Sequence, residues 1–286
     1  MRLMGTFARS WQLSRQSWAV LRGNPSLMLF PIFSGVTSIF LTASFFIPLY
    51  MVIGVKNIEH PPTWSYPVLF AYYLVSYFVV IFFNAGLIHC SHEALNGRQT
   101  SFGSGFAAAG AKVIPILGWA LISATVGLVL RTVAERTGVI GRLVVGLIGG
   151  AWNIVTFFTV PMLVIEGVGP IAAVKGSIAT LKKTWGESLI GSSGITWAIM
   201  LLTLVPIPVI VACAFSGVTA LIIFSIVFAL AFWLGLAIVG SAMAGVYSTA
   251  VFTYARTNTI PSGFDEDVIR NAFRSKPPTK VFGRSI

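Results

Sequence analysis

Charged residues are scarce in this chain. Only 9% of its 286 residues are Asp, Glu, Lys or Arg, whereas 56% are hydrophobic. A soluble domain carries about a quarter charged residues, so a chain of this composition cannot cover a water-facing surface with polar groups. This scarcity excludes an ordinary soluble globular domain and predicts an all-α membrane protein whose surface is largely covered by lipid.

Acidic residues are rarer than basic ones, and catalytic motifs are lacking. The chain has 8 Asp and Glu against 19 Lys and Arg, an excess that in a soluble protein would indicate a nucleic-acid partner. No P-loop, nucleophile elbow, HExxH or CxxC pattern occurs. The two cysteines, Cys90 and Cys213, are expected near opposite membrane faces, too far apart for a disulfide. We predict that the protein is not an enzyme and has no catalytic, cofactor-binding or metal-binding residues.

Six apolar stretches reach the length of about 20 residues that a helix needs to cross a bilayer. They are residues 26–54, 66–90, 113–130, 143–165, 189–213 and 218–250. If the first residue is cytoplasmic, the outer loops hold only four of the 19 cations, namely Lys56, Arg131, Arg136 and Arg142. This positive-inside bias predicts a multi-pass protein of the bacterial inner membrane with both termini cytoplasmic and no nucleic-acid partner.

An amphipathic segment precedes each odd-numbered span, with apolar residues at helical spacing. The apolar faces are Leu3, Met4, Phe7, Trp11, Trp18 and Leu21 in the first segment, Phe102, Phe106, Ala109, Val113 and Ile116 in the second, and Ile171, Val174, Ile178, Leu181 and Trp185 in the third. The first and third segments are also basic and contain Trp, which is typical of cytoplasmic interfacial helices that bind anionic lipid. The predicted lipid contacts are Arg2, Arg9, Arg15, Trp11, Trp18, Lys175, Lys182, Lys183 and Trp185.

These elements define the predicted organisation of the chain. Residues 1–25 form a basic interfacial helix, residues 26–256 a domain of six transmembrane helices, and residues 257–286 a cytoplasmic tail with one short helix. The second and third interfacial helices lie within the six-span domain. Ser10 and Trp18 have the same spacing as Ser177 and Trp185. This match agrees with a parallel repeat of three units, and equally with the common needs of interfacial helices.

Few polar residues fall within the spans. Asn84 and Asn153 are the largest, and Glu166 ends the fourth span. Because an amide in a bilayer commonly joins helices by hydrogen bonds, we assign Asn84 and Asn153 to helix packing. Glu166 is expected at the interface, where it would pair with a neighbouring Lys or Arg or cap the next interfacial helix. The alternative for all three residues is the lining of a polar cavity. Prolines inside the spans are expected to kink or break their helices, and they are Pro31, Pro48, Pro115, Pro161, Pro206 and Pro208.

One cluster has the side chains of metal ligands. His89, His92 and Glu93 follow one another at helical spacing near the end of the second span. Three ligands fall short of the four that are usual in structural zinc sites. We interpret the cluster as the polar end of a helix, with a metal site or a membrane-embedded enzyme centre as the alternative.

Several short motifs together resemble a known family. They are PMLVIEG at 161–167, AAVKGS at 172–177, KKTWGE at 182–187, YART at 254–257, PSGF at 261–264 and AFR at 272–274. Over nearly its full length the chain resembles an uncharacterised family of bacterial polytopic membrane proteins, catalogued as a domain of unknown function. Residues 150–200 more loosely resemble the membrane domain of glycerophosphoryl diester phosphodiesterases. The resemblance implies a helical membrane domain with interfacial helices and carries over no catalytic residue.

Two functions fit these patterns. The first is a non-enzymatic integral membrane protein that organises lipids or membrane-protein partners at the cytoplasmic face. Its partners would be the bilayer and its anionic phospholipids, and also other membrane proteins or further copies of the chain. The alternative is a transporter, channel or lipid-translocating protein with a cavity between the spans, which six spans rich in Gly and Pro would allow.

Overall fold

The structure is a computed structural model that describes residues 2–53, 62–184 and 199–264, and within these ranges it contains helices and no strand. This agrees with the predicted all-α class. The principal helices are α1 (Arg2–Gly23), α2 (Leu29–Ile53), α3 (Ser65–Leu95), α4 (Phe102–Ala111), α5 (Val113–Arg136), α6 (Val139–Val155), α7 (Thr159–Pro161, continued by a π-helical turn, Met162–Glu166), α8 (Pro170–Thr184), α9 (Pro206–Phe215) and α10 (Thr219–Thr257).

Five helical stretches in the described residues are long and apolar enough to cross a membrane. They are Pro25–Val52, Ser65–Leu95, Val113–Arg136, Val139–Glu166 and Thr219–Thr257, and they coincide with five of the predicted spans. The remaining predicted span, 189–213, lies partly outside the described residues. Its described part belongs to a shorter apolar helix, Ile199–Phe215. The helices are compatible with an integral membrane protein, and the count of six spans stays a prediction.

The structure moves two of the predicted boundaries. The third apolar helix continues to Arg136, whereas the sequence suggested a loop from Arg131 onwards. Arg131 and Glu135 form an ion pair one helical turn apart, with 2.7 Å between Nε and Oε1, and such pairs favour the helix. The fourth span is interrupted by a turn at residues 156–158, between α6 and α7, so it is not one continuous helix.

Residues 24–179 form one compact unit, organised around α3. α3 packs against α2, α4 and α5. Its buried side chains, such as Leu87 and Ile88, lie in its C-terminal half, whereas Tyr66 near its N-terminus is exposed. The unit therefore has its core at one end of its long helix and bare apolar surface at the other, as expected where lipid covers the surface.

The described residues within Met1–Gly23 and Thr180–Ile286 form the second unit, organised around α10. α1 packs against α10, and the buried residues of α10 concentrate between Gly240 and Thr253. The N-terminal half of α10 exposes large apolar side chains such as Phe224 and Leu234. The predicted short helix of the tail begins near Ser262 and lies mostly outside the described residues.

The second predicted interfacial segment packs onto protein within its unit. The ring centroids of Phe102 and Phe30 are 4.9 Å apart, and those of Phe106 and Phe82 are 5.1 Å apart. Between them, Gly105 lets α4 approach α3 closely, because a Cβ atom there would lie 2.8 Å from a backbone oxygen of α3. Much of the apolar stripe of α4 is thus engaged by α2 and α3 rather than left for lipid.

Candidate lipid-interface site

The C-terminal half of α1 presents a basic strip with a tryptophan at its centre. Arg15, Trp18 and Arg22 are spaced i, i+3 and i+7, which places them on one side of the helix. All three are exposed, Trp18 at 40%. An indole between two cations suits the boundary between lipid headgroups and acyl chains, where tryptophan is enriched and arginine meets phosphate. We call these three residues the α1 strip.

The neighbouring face of α1 fixes the orientation of the strip. Ser14, Ser17 and Leu21 are buried, and α1 packs against α10. The apolar face predicted from the sequence therefore divides, because Leu21 is fully buried while Trp18 remains exposed. A helix held in this way presents its cations without first having to bind a membrane in order to fold.

Five of the nine predicted lipid contacts cannot be placed. The structure describes only the backbone for the first half of α1 and for the end of α8, and Trp185 lies outside the described residues. The contacts of these side chains therefore stay predictions; the residues are Arg2, Arg9, Trp11, Lys183 and Trp185.

α8 exposes its cations on the side opposite its buried residues. Lys175 and Lys182 are exposed, and Ile171, which is 64% exposed, lies one helical turn before Lys175. Ser177 is fully buried, and two residues along a helix correspond to a rotation of about 200°. The predicted apolar stripe of α8 runs from exposed Ile171 to buried Leu181. The stripe is therefore only partly covered by other residues of the protein.

The buried side of α8 forms hydrogen bonds with the backbone at the break in the fourth span. At the break, the amide of Thr159 bonds the carbonyl of Thr156, so it does not reach the carbonyl of Val155 as it would in a continuous helix. The hydroxyl of Ser177 donates to that carbonyl over 2.6 Å and accepts from the amide of Phe158 over 3.2 Å. One side chain thus bonds two backbone groups at the break.

Close contacts hold α8 against the same unit. A Cβ atom on Gly176 would lie 2.6 Å from the sulfur of Met162, and one on Gly118 would lie 3.0 Å from Cγ of Pro170. A larger side chain at Gly176 would force the end of the Met162 side chain to shift, and one at Gly118 would press on the ring of Pro170. The position of Ser177 relative to the break is therefore set by tight packing around it.

In the other unit, a side chain likewise forms a hydrogen bond with the backbone at a second helix break. Before α9, the amide of Ile207 bonds the carbonyl of Leu204, which leaves the carbonyl of Thr203 without its helical partner. The indole nitrogen of Trp233, on α10, donates to that carbonyl over 3.0 Å. Pro206 is the first residue after this break, and a proline, which has no N–H group and crowds the preceding turn, disfavours a continuous helix there.

The cluster at the end of α3 is divided among local partners. Glu93 accepts two hydrogen bonds from Arg98, at 2.9 and 3.1 Å, and Asn96 Nδ2 lies 3.3 Å from His92 Nε2. His89 is partly exposed. Within the described ranges, no three side chains of His, Cys, Asp or Glu come together in a way that could hold a metal ion. Glu93 and His92 thus interact with Arg98 and Asn96, which lie in the loop between α3 and α4.

The three polar residues assigned to helix packing or a cavity occupy different environments. Asn84 is partly buried on α3, Asn153 is exposed on α6, and Glu166 is exposed at the end of the π-helical turn. An open apolar depression of about 290 Å³ lies between the end of α2 and the start of α3, next to Pro48 and Trp64. None of the three polar residues lines this depression.

Polar residues mark two levels along the helices of residues 24–179. Arg131, on α5, donates a hydrogen bond to the hydroxyl of Tyr73, on α3. Lys112 precedes Arg131 by 131 − 112 = 19 residues, and His92 follows Tyr73 by 92 − 73 = 19 residues. In a helix, 19 residues rise about 28 Å, close to the thickness of about 30 Å of a hydrocarbon core. These levels suit the two edges of a bilayer.

Fold and surfaces together define an α-helical protein with helices fit to cross a membrane and with exposed basic surfaces on α1 and α8. A family model described as "Family of unknown function (DUF6159)" matches residues 63–264, and the chain belongs to this family. The predicted resemblance to an uncharacterised family is thus confirmed. Comparisons with curated proteins and with solved structures find no match. The looser resemblance to the phosphodiesterase membrane domain receives no support from these comparisons.

Sequence reasoning did not assign bonding roles to Ser177 and Trp233. Ser177 was noted only for its spacing from Trp185, and Trp233 lies in a long apolar run. The available signal was the pair of prolines near the breaks, Pro161 and Pro206. A break within a span leaves backbone groups that need partners, but the sequence does not show which side chain of which neighbouring helix provides them.

Proposed function

We propose that this protein is a non-enzymatic integral membrane protein that binds and organises anionic phospholipids at the cytoplasmic face of a bacterial cell membrane, with both termini cytoplasmic. The observation that carries the proposal is the α1 strip, in which Arg15, Trp18 and Arg22 are exposed together on a helix whose adjacent face is packed. The distribution of cations along the sequence supports the orientation.

The energetic argument follows from charge and burial. Each Lys or Arg near an anionic membrane surface contributes about 1 kcal/mol of attraction. Arg15 and Arg22 together would contribute about 2 kcal/mol, and Trp18 adds interfacial burial. Lys175 on α8, beside exposed Ile171, offers a second contact of the same chemistry. A protein with these surfaces would enrich anionic lipid around itself.

The test compares lipid selectivity of the full-length protein in vesicles. Spin-labelled phosphatidylglycerol and phosphatidylcholine are added separately, and the motionally restricted fraction of each gives the relative association constant. We expect phosphatidylglycerol to be preferred, and the preference to fall in the double variant Arg15→Gln/Arg22→Gln. The matched control, Arg15→Lys/Arg22→Lys, keeps the charge and should keep the preference. Equal association of the two lipids with the wild-type protein would refute the proposal.

A second candidate, a transporter, channel or lipid-translocating protein, is favoured by the two broken helices. Broken helices near the middle of a membrane are common at transporter binding sites, where free backbone groups bind the substrate. Here, however, the carbonyls of Val155 and Thr203 are engaged by Ser177 and Trp233. Since these groups are occupied by side chains, we rank this candidate second.

A further inference from the structure

We propose that anionic lipid next to Lys175 on α8 stabilises the hydrogen bonds that Ser177, on the same helix, makes at the break in the fourth span. The proposal rests on the proposed function and adds a regulatory role to the α8 surface. It concerns residues 155–162 and 170–179, which belong to the same unit. On this part of α8, Lys175 is exposed on one side, and Ser177 is bonded to the break on the other.

The mechanical link between the two sides is short. Lys175 and Ser177 are separated by one residue, Gly176, whose Cβ position lies 2.6 Å from the sulfur of Met162. Because Gly176 lies against Met162 and the next residue, Ser177, bonds the backbone of the break over 2.6 and 3.2 Å, release of this part of α8 from Met162 would also break the two hydrogen bonds of Ser177. The packing of α8 against Met162 and the hydrogen bonds of Ser177 at the break are therefore expected to form and break together.

The direction of the effect follows from mass action. A helix of 15 residues such as α8 is marginally stable on its own, so α8 released from the break would lose its ordered exposed side. A ligand that binds the docked form better than the released form shifts the equilibrium toward docking. One lysine near an anionic surface is worth about fivefold in that equilibrium.

The measured quantity is the rate of hydrogen exchange at the amide of Phe158. This amide donates a hydrogen bond to the hydroxyl of Ser177. Full-length protein is placed in vesicles of phosphatidylcholine alone or mixed with phosphatidylglycerol, and exchange is followed by mass spectrometry on peptides covering residues 155–160. We expect exchange to be about fivefold slower with phosphatidylglycerol. Lys175→Gln should abolish this difference without changing the rate in phosphatidylcholine, and Lys175→Arg should preserve it. Ser177→Ala should give fast exchange in both lipids.

The outcomes separate this inference from the proposed function. Exchange at residues 155–160 that is equal in both lipids, or faster with phosphatidylglycerol, overturns the coupling. If spin-labelled phosphatidylglycerol still prefers the wild-type protein in that case, the proposed function stands. If the lipid preference itself is lacking, the proposed function fails first. Should Ser177→Ala not fold, the comparison of wild type with Lys175→Gln and Lys175→Arg decides the matter alone.

Discussion

Two fully buried serines provide a matched pair of substitutions. Ser177 bonds two backbone groups at the break in the fourth span. Ser91, on α3, is equally buried, and its hydroxyl has no hydrogen-bond partner among the described residues. Ser177→Ala and Ser91→Ala remove the same atoms from the same unit of the protein, so a difference between them reports on the hydrogen bonds.

The expected magnitudes differ in size and in sign. Ser177→Ala removes the serine partner of the buried amide of Phe158 and of the part-buried carbonyl of Val155, and a buried group left unsatisfied costs about 1–3 kcal/mol. Allowing for partial relaxation around the break, we expect the free energy of unfolding to fall by about 2–4 kcal/mol. Ser91→Ala removes an unsatisfied hydroxyl, so the free energy of unfolding should stay unchanged or rise by up to about 1 kcal/mol.

The assay is reversible unfolding of the full-length protein in mixed micelles, with the fraction of denaturing detergent as the variable. Both variants and the wild type are measured with the same optical signal, so that errors of extrapolation cancel in the differences. If the two substitutions lower the free energy of unfolding equally, or if Ser177→Ala costs less than about 1 kcal/mol, the break does not depend on the hydroxyl of Ser177, and the reasoning above is wrong.

Two further substitutions test the packing of each unit. Gly105→Ala should lower the free energy of unfolding by about 1–3 kcal/mol, because its Cβ would lie 2.6 Å from the sulfur of Cys90. Gly103→Ala, whose Cβ meets nothing nearer than 3.9 Å, is the control and should be nearly neutral in the same assay. Trp233→Phe keeps an aromatic ring but removes the hydrogen bond to the carbonyl of Thr203. Hydrogen exchange of the amides around this break should therefore become faster, while exchange elsewhere in α10 stays unchanged. Exchange rates around the break that equal those of the wild type would contradict the assigned bond.

Much of the fold could be predicted from composition and the length of apolar runs. Five predicted spans coincide with helices of sufficient length and apolarity, because a bilayer imposes the same requirement on every crossing helix. Prolines were less informative. Pro48 lies inside α2, which continues through it, whereas Pro161 and Pro206 accompany breaks. A proline removes one hydrogen bond in each case, and tertiary contacts decide whether the helix continues.

The candidate site was predictable in part. Arg15 and Trp18 of the α1 strip were predicted as lipid contacts from the composition of interfacial helices, whereas Arg22 was not among the predicted contacts. Which side of each helix faces protein did not follow, because α1 buries Ser14 and Ser17, residues that no hydrophobic pattern selects. For α4 the apolar stripe was correctly periodic, yet Phe102 packs on Phe30 of α2, since an apolar face fits a neighbouring helix as well as it fits lipid.

The location of burial bears on the choice between an interface function and a midplane cavity. In both units, the long helix is covered by protein in its C-terminal half and bare in its N-terminal half. Within a hydrocarbon core, packing apolar helices together gains little, because lipid is as apolar as leucine. The packed half of α3, from Val79 to Leu95, lies mostly between the polar levels of Tyr73 and His92, so close fit at small residues such as Gly86 and Gly105 must contribute to its packing. In the unit that contains α1 and α10, contacts between these two helices hold α1 in place, so its exposed cations are presented by a packed helix, as the proposed interface function requires.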